Sequence, residues 1–270
     1  MAESPIEEES VRTQYELPAL SPEAAEILLA GPFGTELHNL VVHHATFLVF
    51  GTKGPDGSPE NLHNATCFFV QTPTKLFAVT ARHVIDGYRQ AREERSDTIC
   101  QIGSQLRFDP IDRMIGAGTK ADIATFDITP AELERIGKRP ITLWPPEPPD
   151  VDDKPVLFAG FPAAAIRRDN RWTLGFGTYS ASSMAQRVTD WQLSCTVEWD
   201  NIMCAPGFKD LPSRQYDIGG MSGGPMLSIR ERGGLMTCPL AGVISEGRRE
   251  SDTIIAERAD FIRPDGTIRV

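Results

Sequence analysis

The sequence lacks the features that mark several common classes of protein. It contains no run of about eighteen apolar residues, so no transmembrane helix is expected. Its acidic start, Met1 to Glu9, lacks the basic and apolar regions of a secretory signal. It has neither a C-x-x-C nor an H-E-x-x-H motif, and so offers no convergent pattern of zinc ligands. We therefore expect no metal and no other cofactor.

The sequence also has little positive charge to offer a polyanion. The formal net charge is −10, and residues 1–30 hold seven acids and one base. The remainder is nearly balanced, which argues against a nucleic-acid partner, and no membrane partner is expected. We expect the acidic N-terminus to be solvated. A sharper hypothesis is that it docks a regulatory protein or shields a cleft.

Cysteines are few and show no pairing pattern. The five are Cys67, Cys100, Cys195, Cys204 and Cys238. An odd number without paired spacing favours a reducing, cytoplasmic setting, in which most of them are small core residues.

Local patterns outline the secondary structure. A serine N-cap, a following proline and a terminal glycine predict a helix over residues 21–31. A strand is predicted over 40–50, a hairpin across Thr72–Lys75, and a helix over 84–95. The proline-rich stretch 144–150 is the clearest linker, because prolines favour extended polyproline II.

The most informative segment is Gly220-Met221-Ser222-Gly223-Gly224, which is followed by a proline. Glycine tolerates positive φ and close approach of another chain, so this frame can present a hydroxyl while it aims backbone N–H groups at one point. Acyl transfer needs both a nucleophile and donors for the developing oxyanion. A plain glycine-rich hairpin is the alternative interpretation of the segment taken alone.

Two upstream residues complete a catalytic pattern. His83 follows the apolar run Leu76–Ala81, where a strand gives way to a helical turn, and Asp122 begins another strand-like run. Rims of this kind often carry catalytic groups. The order His83, Asp122, Ser222 along the chain is that of the chymotrypsin-type triad and differs from the orders in subtilisins and α/β-hydrolases.

These segments resemble the chymotrypsin-fold (trypsin-like) serine peptidases, and more closely the intracellular bacterial branches related to Deg-type enzymes, here without a PDZ module. The resemblance covers roughly residues 40–260. It is carried by Thr66–Val70, by Thr80-Ala81-Arg82-His83 (the T-A-x-H motif), by Ala121–Ala124, by Gly220–Pro225 (G-[DN]-S-G-G-P) and by Leu240–Gly247.

The resemblance implies an all-β fold of two six-stranded antiparallel barrels with a few short helices. The acidic segment with its helix would occupy residues 1–38, the barrel carrying the histidine and aspartate 39–143, the linker 144–155, and the barrel carrying the serine 156–270. Length and turn frequency agree with this division.

The resemblance also implies a role for each site residue. Ser222 would be the nucleophile, His83 the general base and then acid, and Asp122 the partner of the other ring nitrogen. The N–H groups of Gly220 and Ser222 would form the oxyanion hole. Ser245 would support Asp122 with its hydroxyl.

The sequence says less about substrate specificity and about control of activity. Tyr216 and Asp217 lie near the expected floor of the primary pocket and Glu246 near its wall, so a basic substrate side chain would be favoured if these acids face the pocket; solvent-facing acids are the other interpretation. Met221 replaces the usual Asp or Asn, so activation through a new N-terminal amine is not expected. The favoured function is a serine endopeptidase acting on proteins or peptides. A silent trypsin-like binding module and an esterase using the same triad stay open.

Overall fold

Antiparallel strands form most of the molecule. In the computed structural model, residues 22–197, 217–232 and 234–270 are described. The helices are α1 (Pro22–Ala30), α2 (Pro32–His44), α3 (Arg82–Glu94) and α4 (Pro130–Ile136). None of these helices is both long and apolar enough to cross a bilayer.

The first sheet contains seven strands and curls into a half-barrel. They are β1 (Ala45–Lys53), β2 (Pro59–Gln71), β3 (Leu76–Thr80), β4 (Ile99–Ile102), β5 (Leu106–Phe108), β6 (Met114–Ala117) and β7 (Ala124–Asp127). The order across the sheet is β5-β4-β1-β2-β3-β7-β6. The β2–β3 turn closes with Thr72 N–H donating to Lys75 O (2.9 Å), as predicted for this hairpin.

The second unit is a closed barrel of six strands in the order β11-β12-β17-β16-β13-β8, with two short hairpins beside it. Its strands are β8 (Lys154–Gly160), β11 (Tyr179–Val188), β12 (Gln192–Thr196), β13 (Pro225–Ser228), β16 (Leu240–Arg248) and β17 (Thr253–Arg258); the hairpins are β9 (Ile166–Arg168) with β10 (Leu174–Phe176), and β14 (Arg230–Arg232) with β15 (Leu235–Thr237). The prediction of an all-β, chymotrypsin-like fold with a few short helices is confirmed. The first sheet has seven strands, one more than expected. It does not close into a barrel, because its edge strands β5 and β6 do not pair with each other.

Hydrophobic packing separates into a core within each unit and a third cluster between them. The first sheet buries Phe69 and Ile85, and the second barrel buries Phe158 and Met226. The third cluster joins residues from both units, including Phe68 of β2 and Leu157 of β8. Since burial of a large apolar side chain contributes about 1.5–3 kcal/mol, this shared cluster holds the two units in one arrangement.

The segment before the first sheet and the C-terminal residues each pack on the other unit. Helix α2 packs on the second barrel, and His38 Nδ1 lies 3.0 Å from Ser180 Oγ. The last residues return to the first sheet, where Thr125 Oγ1 donates to Gly266 O (2.5 Å) and Thr119 N–H donates to Val270 O (2.9 Å). The two units are thus held together by these crossing segments as well as by the shared apolar cluster.

The two predicted helices are confirmed, and the predicted strand is partly wrong. Helices α1 and α3 match the predicted helices at 21–31 and 84–95. Residues 40–44 are helical, and the strand begins only at Ala45. Leu37 and Val41 are four residues apart and buried on one face, so packing overrides the strand preference of the β-branched residues there.

Candidate active site

The sheet register brings His83 and Asp122 to the same end of the first sheet. Strand β3 pairs with β7 so that Thr80 faces Ala124, and His83 follows the one strand while Asp122 precedes the other. His83 Nδ1 lies 2.6 Å from Asp122 Oδ2, and the backbone N–H of His83 donates to Asp122 Oδ1 (2.8 Å). The carboxylate therefore fixes both the ring and its backbone. With the proton on Nδ1, Nε2 is free to accept one.

The electrostatics of this pair suit a base. The hydrogen bond to Asp122 raises the pKa of His83 above its usual 6.5; burial opposes this shift, and the charges of Asp122 and Asp86 reinforce it. Burial acts to raise the pKa of Asp122, but its hydrogen bonds with His83 and the charges of His83 and Arg82 lower it overall. Asp122 therefore stays ionised while the imidazole carries or releases a proton.

Ser222 lies on a sharply bent loop at the edge of the second barrel. Gly220 (φ +93°) and Gly223 (φ +86°) occupy a region that favours glycine. A Cβ on Gly223 would lie 3.0 Å from Ala81 N, two residues before His83. The loop therefore packs against the chain that leads to the histidine.

The serine hydroxyl is not bonded to the histidine. Ser222 Oγ donates to Ser245 O (3.3 Å), and within the described ranges no hydrogen bond joins it to His83. Catalytic hydrogen bonds often form only once substrate is bound. Of the predicted triad, the structure thus joins His83 and Asp122 by hydrogen bonds and leaves Ser222 on the adjacent loop.

Two backbone donors of the serine loop have no acceptor among the described residues. The N–H groups of Met221, Gly223 and Gly224 donate to the carbonyls of Ile218, Ile244 and Met221 (3.2, 2.7 and 2.9 Å). The N–H groups of Gly220 and Ser222 donate to no acceptor in the described part of the chain. These are the two donors predicted for the oxyanion hole, and unpaired N–H groups beside a nucleophile can stabilise a developing oxyanion.

Met221 serves the core of the barrel. Its side chain is buried beside Gly160, whose added Cβ would lie 3.0 Å from it. No charged group is required at this position, since the loop is held by the hydrogen bonds of the Met221 N–H and carbonyl.

The predicted cleft residues are largely engaged with near neighbours. Asp217 Oδ1 accepts from Gly219 N–H (2.8 Å), and Glu246 forms a two-point ion pair with Arg248 (2.9 and 3.1 Å). That pairing lowers the pKa of Glu246. Tyr216 lies outside the described residues. Both acids are exposed and bonded to near neighbours, and selection of a basic side chain stays a prediction.

For Ser245, support of Asp122 by the hydroxyl stays a prediction. Its hydroxyl donates to Ile255 O (3.4 Å), whereas its carbonyl accepts from Ser222. The acid beside Asp122 is Glu257 of β17, which is buried and accepts from Gln192 Nε2 (2.8 Å). Burial raises the pKa of Glu257, hydrogen bonds with Gln192 and Ser245 oppose the shift, and the charge of Asp122 adds to it.

Sequence reasoning missed Glu257, and it missed Arg82 and Thr66. Arg82 Nη1 donates to Gly118 O (2.7 Å) and so holds the loop that precedes Asp122. Thr66 bonds to the serine loop from the first sheet. The contacts of Arg82 and Thr66 span 36 to about 150 residues of sequence, so a local pattern could not reveal them.

No protein-family model and no curated protein matches the sequence. Several solved structures are similar at low identity. One, from work on the coupled folding and binding of the VPg protein of Sesbania mosaic virus, is 11% identical with a TM-score of 0.46; the match covers 80% of this chain and 87% of that one. The serine protease AL20 from an extremophilic microorganism is 14% identical, with a TM-score of 0.43, over 80% of this chain and 91% of that one. The protease Anisep from Arthrobacter nicotinovorans is 16% identical, with a TM-score of 0.43, over 80% and 90%.

Proposed function

We propose that this protein is a serine endopeptidase that hydrolyses peptide bonds through Ser222, His83 and Asp122 and an acyl-enzyme. The observation that carries the proposal is the pairing of His83 with Asp122 beside the loop that presents Ser222. In that loop the N–H groups of Gly220 and of Ser222 itself donate to no acceptor among the described residues. The His83–Asp122 pair supplies the base, and the loop supplies the nucleophile and the oxyanion donors.

In the proposed reaction, the Ser222 hydroxyl turns from Ser245 O toward His83 Nε2 and gives up its proton as Oγ attacks the carbonyl carbon. The N–H groups of Gly220 and Ser222 bind the oxyanion. His83 then protonates the leaving amine, and Asp122 stabilises the imidazolium without taking the proton. Water repeats the sequence on the acyl-enzyme and releases the acid.

The test is cleavage of unfolded casein and of a mixed peptide library by the wild type and by Ser222→Ala. The wild type should cut peptides and the variant should not, while Ser96→Ala, which changes an exposed serine in the turn after α3, should match the wild type. Equal cleavage by Ser222→Ala and the wild type would end the serine assignment. Turnover of esters without peptides would favour the esterase.

One observation favours a second candidate, a catalytically silent binding module. It is the hydrogen bond from Ser222 Oγ to Ser245 O, which withholds the hydroxyl from His83. A folded wild type that cuts neither peptides nor esters would support this candidate. A regulatory partner of the acidic N-terminus is still a prediction, because residues 1–21 lie outside the described residues.

A further inference from the structure

Thr66 of β2 meets both the serine loop and the end of β8. It is fully buried. Its backbone N–H donates to Ser222 O (2.9 Å), and its hydroxyl donates to Gly220 O (2.9 Å) and accepts from Phe161 N–H (2.9 Å). A hydroxyl has one proton and two lone pairs, so donation to Gly220 and acceptance from Phe161 are compatible. One side chain of the first sheet therefore bonds to two segments of the second barrel.

These contacts restrain both peptide planes that flank Gly220. The plane before it carries the Gly220 N–H and the Gly219 carbonyl, which accepts from Ala163 N–H (2.6 Å). The plane after it carries the Gly220 carbonyl, which Thr66 holds. Since peptide planes are rigid, fixing both sets φ and ψ of Gly220 and hence the direction of its N–H. A glycine at φ +93° has no side chain to resist rotation.

The surrounding atoms keep Thr66 itself in place. Its carbonyl accepts from Thr80 Oγ1 (2.7 Å), and it faces Phe47 across the β1–β2 ladder. Asn64, two residues earlier on the same strand, donates from Nδ2 to Phe161 O (2.5 Å). Phe161 is thus bonded through both its N–H and its carbonyl to neighbouring side chains of β2, which fixes the acceptor and donor geometry around Thr66.

We infer that the Thr66 hydroxyl is a positioning group that aims the Gly220 N–H into the oxyanion hole and makes that hole depend on the docking of the two units. The inference rests on the proposed function. It assigns Thr66 no contact with substrate. Its effect is on stabilisation of the transition state through Gly220, and so on kcat more than on KM.

The test compares Thr66→Val, which keeps the shape and removes the hydroxyl, with Thr66→Ser, which keeps the hydroxyl. Thr46→Val is the matched control, because Thr46 is a buried threonine on the neighbouring strand β1 that pairs with Cys67. Loss of one oxyanion donor costs about 10²–10³ in kcat, and a misaimed donor should cost about 10–10². Thr66→Val should show that loss with KM within about twofold, whereas Thr66→Ser and Thr46→Val should stay near the wild type.

A second readout does not depend on activity. In ¹⁵N-resolved spectra, the amide signals of Gly220 and Phe161 should shift in Thr66→Val and return in Thr66→Ser. Unmoved amides, or equal kcat in Thr66→Val and the wild type, would overturn the inference. If the wild type is inactive but its Gly220 amide signal still shifts when the Thr66 hydroxyl is removed, the proposed function is wrong and the positioning role of Thr66 is retained. If Thr66→Val does not fold, Thr66→Cys replaces it, since a thiol is a weaker donor, and its kcat should lie below that of both the wild type and Thr66→Ser.

Discussion

Gly223→Ala should destabilise the protein far more than an alanine at another left-handed glycine. At φ +86° an L-residue is strained by about 1–2 kcal/mol. The new Cβ would also overlap Thr66 O and Thr80 Oγ1, which are bonded to each other. Relief of the overlap displaces that bond, and the bonds from Thr66 N–H to Ser222 O and from Gly223 N–H to Ile244 O with it. At about 1 kcal/mol each, these three bonds bring the expected loss to about 4–5 kcal/mol.

Gly137→Ala isolates the steric part of this loss. Gly137 ends α4 at φ +72°, and a Cβ there would meet nothing within 4 Å. It bears the backbone strain alone, and the unfolded-state entropy change common to both variants cancels in the comparison. Urea unfolding followed by circular dichroism should show an excess of about 3 kcal/mol for Gly223→Ala. An excess below about 1 kcal/mol would refute the packing of the serine loop on the first sheet.

Two further outcomes follow from the site. Met221→Leu should cost under about 1.5 kcal/mol in urea unfolding. Met221→Asp should cost about 3–5 kcal/mol at pH 7, because a carboxylate would be buried there. The cost should be smaller at pH 4–5, because burial raises the pKa of the new carboxyl and its neutral form is tolerated better. Equal stability of Met221→Leu and Met221→Asp would contradict the buried position of Met221. Because the pKa of His83 is raised, kcat/KM should rise with pH through a value above 6.5 as the ring loses its proton. In Asp122→Asn this limb should move to lower pH and the rate should fall by about 10⁴-fold, and an unmoved limb would show that Asp122 does not set the titration.

The predictable part of the site is its local part. The glycines around Ser222 and the strand before His83 are patterns a few residues long, and the structure places both as strand-edge features. The partners of the two acids assigned to the cleft also lie close in sequence. Asp217 accepts from Gly219, and Glu246 pairs with Arg248. Each partner is two residues away in the sequence, so these contacts could have been predicted from the sequence.

What could not be predicted depends on contacts between distant segments. Residues 40–44 have the composition of a strand, but burial of Val41 against the second barrel makes them helical. Thr66 has an ordinary strand sequence around it, and its role arises only when the two units dock, 154 residues away in sequence at Gly220. The packing of the C-terminal residues on the first sheet also depends on contacts between distant segments, such as the bond from Thr125 to Gly266.

The most direct test of the account is covalent labelling of the folded protein with a fluorophosphonate, followed by mass spectrometry of its peptides. The wild type should carry one label per chain on the peptide that contains Ser222, His83→Ala should be labelled far more slowly, and Ser222→Ala should take up none. Folded wild-type protein that takes up no label, or label that persists in Ser222→Ala, would contradict it.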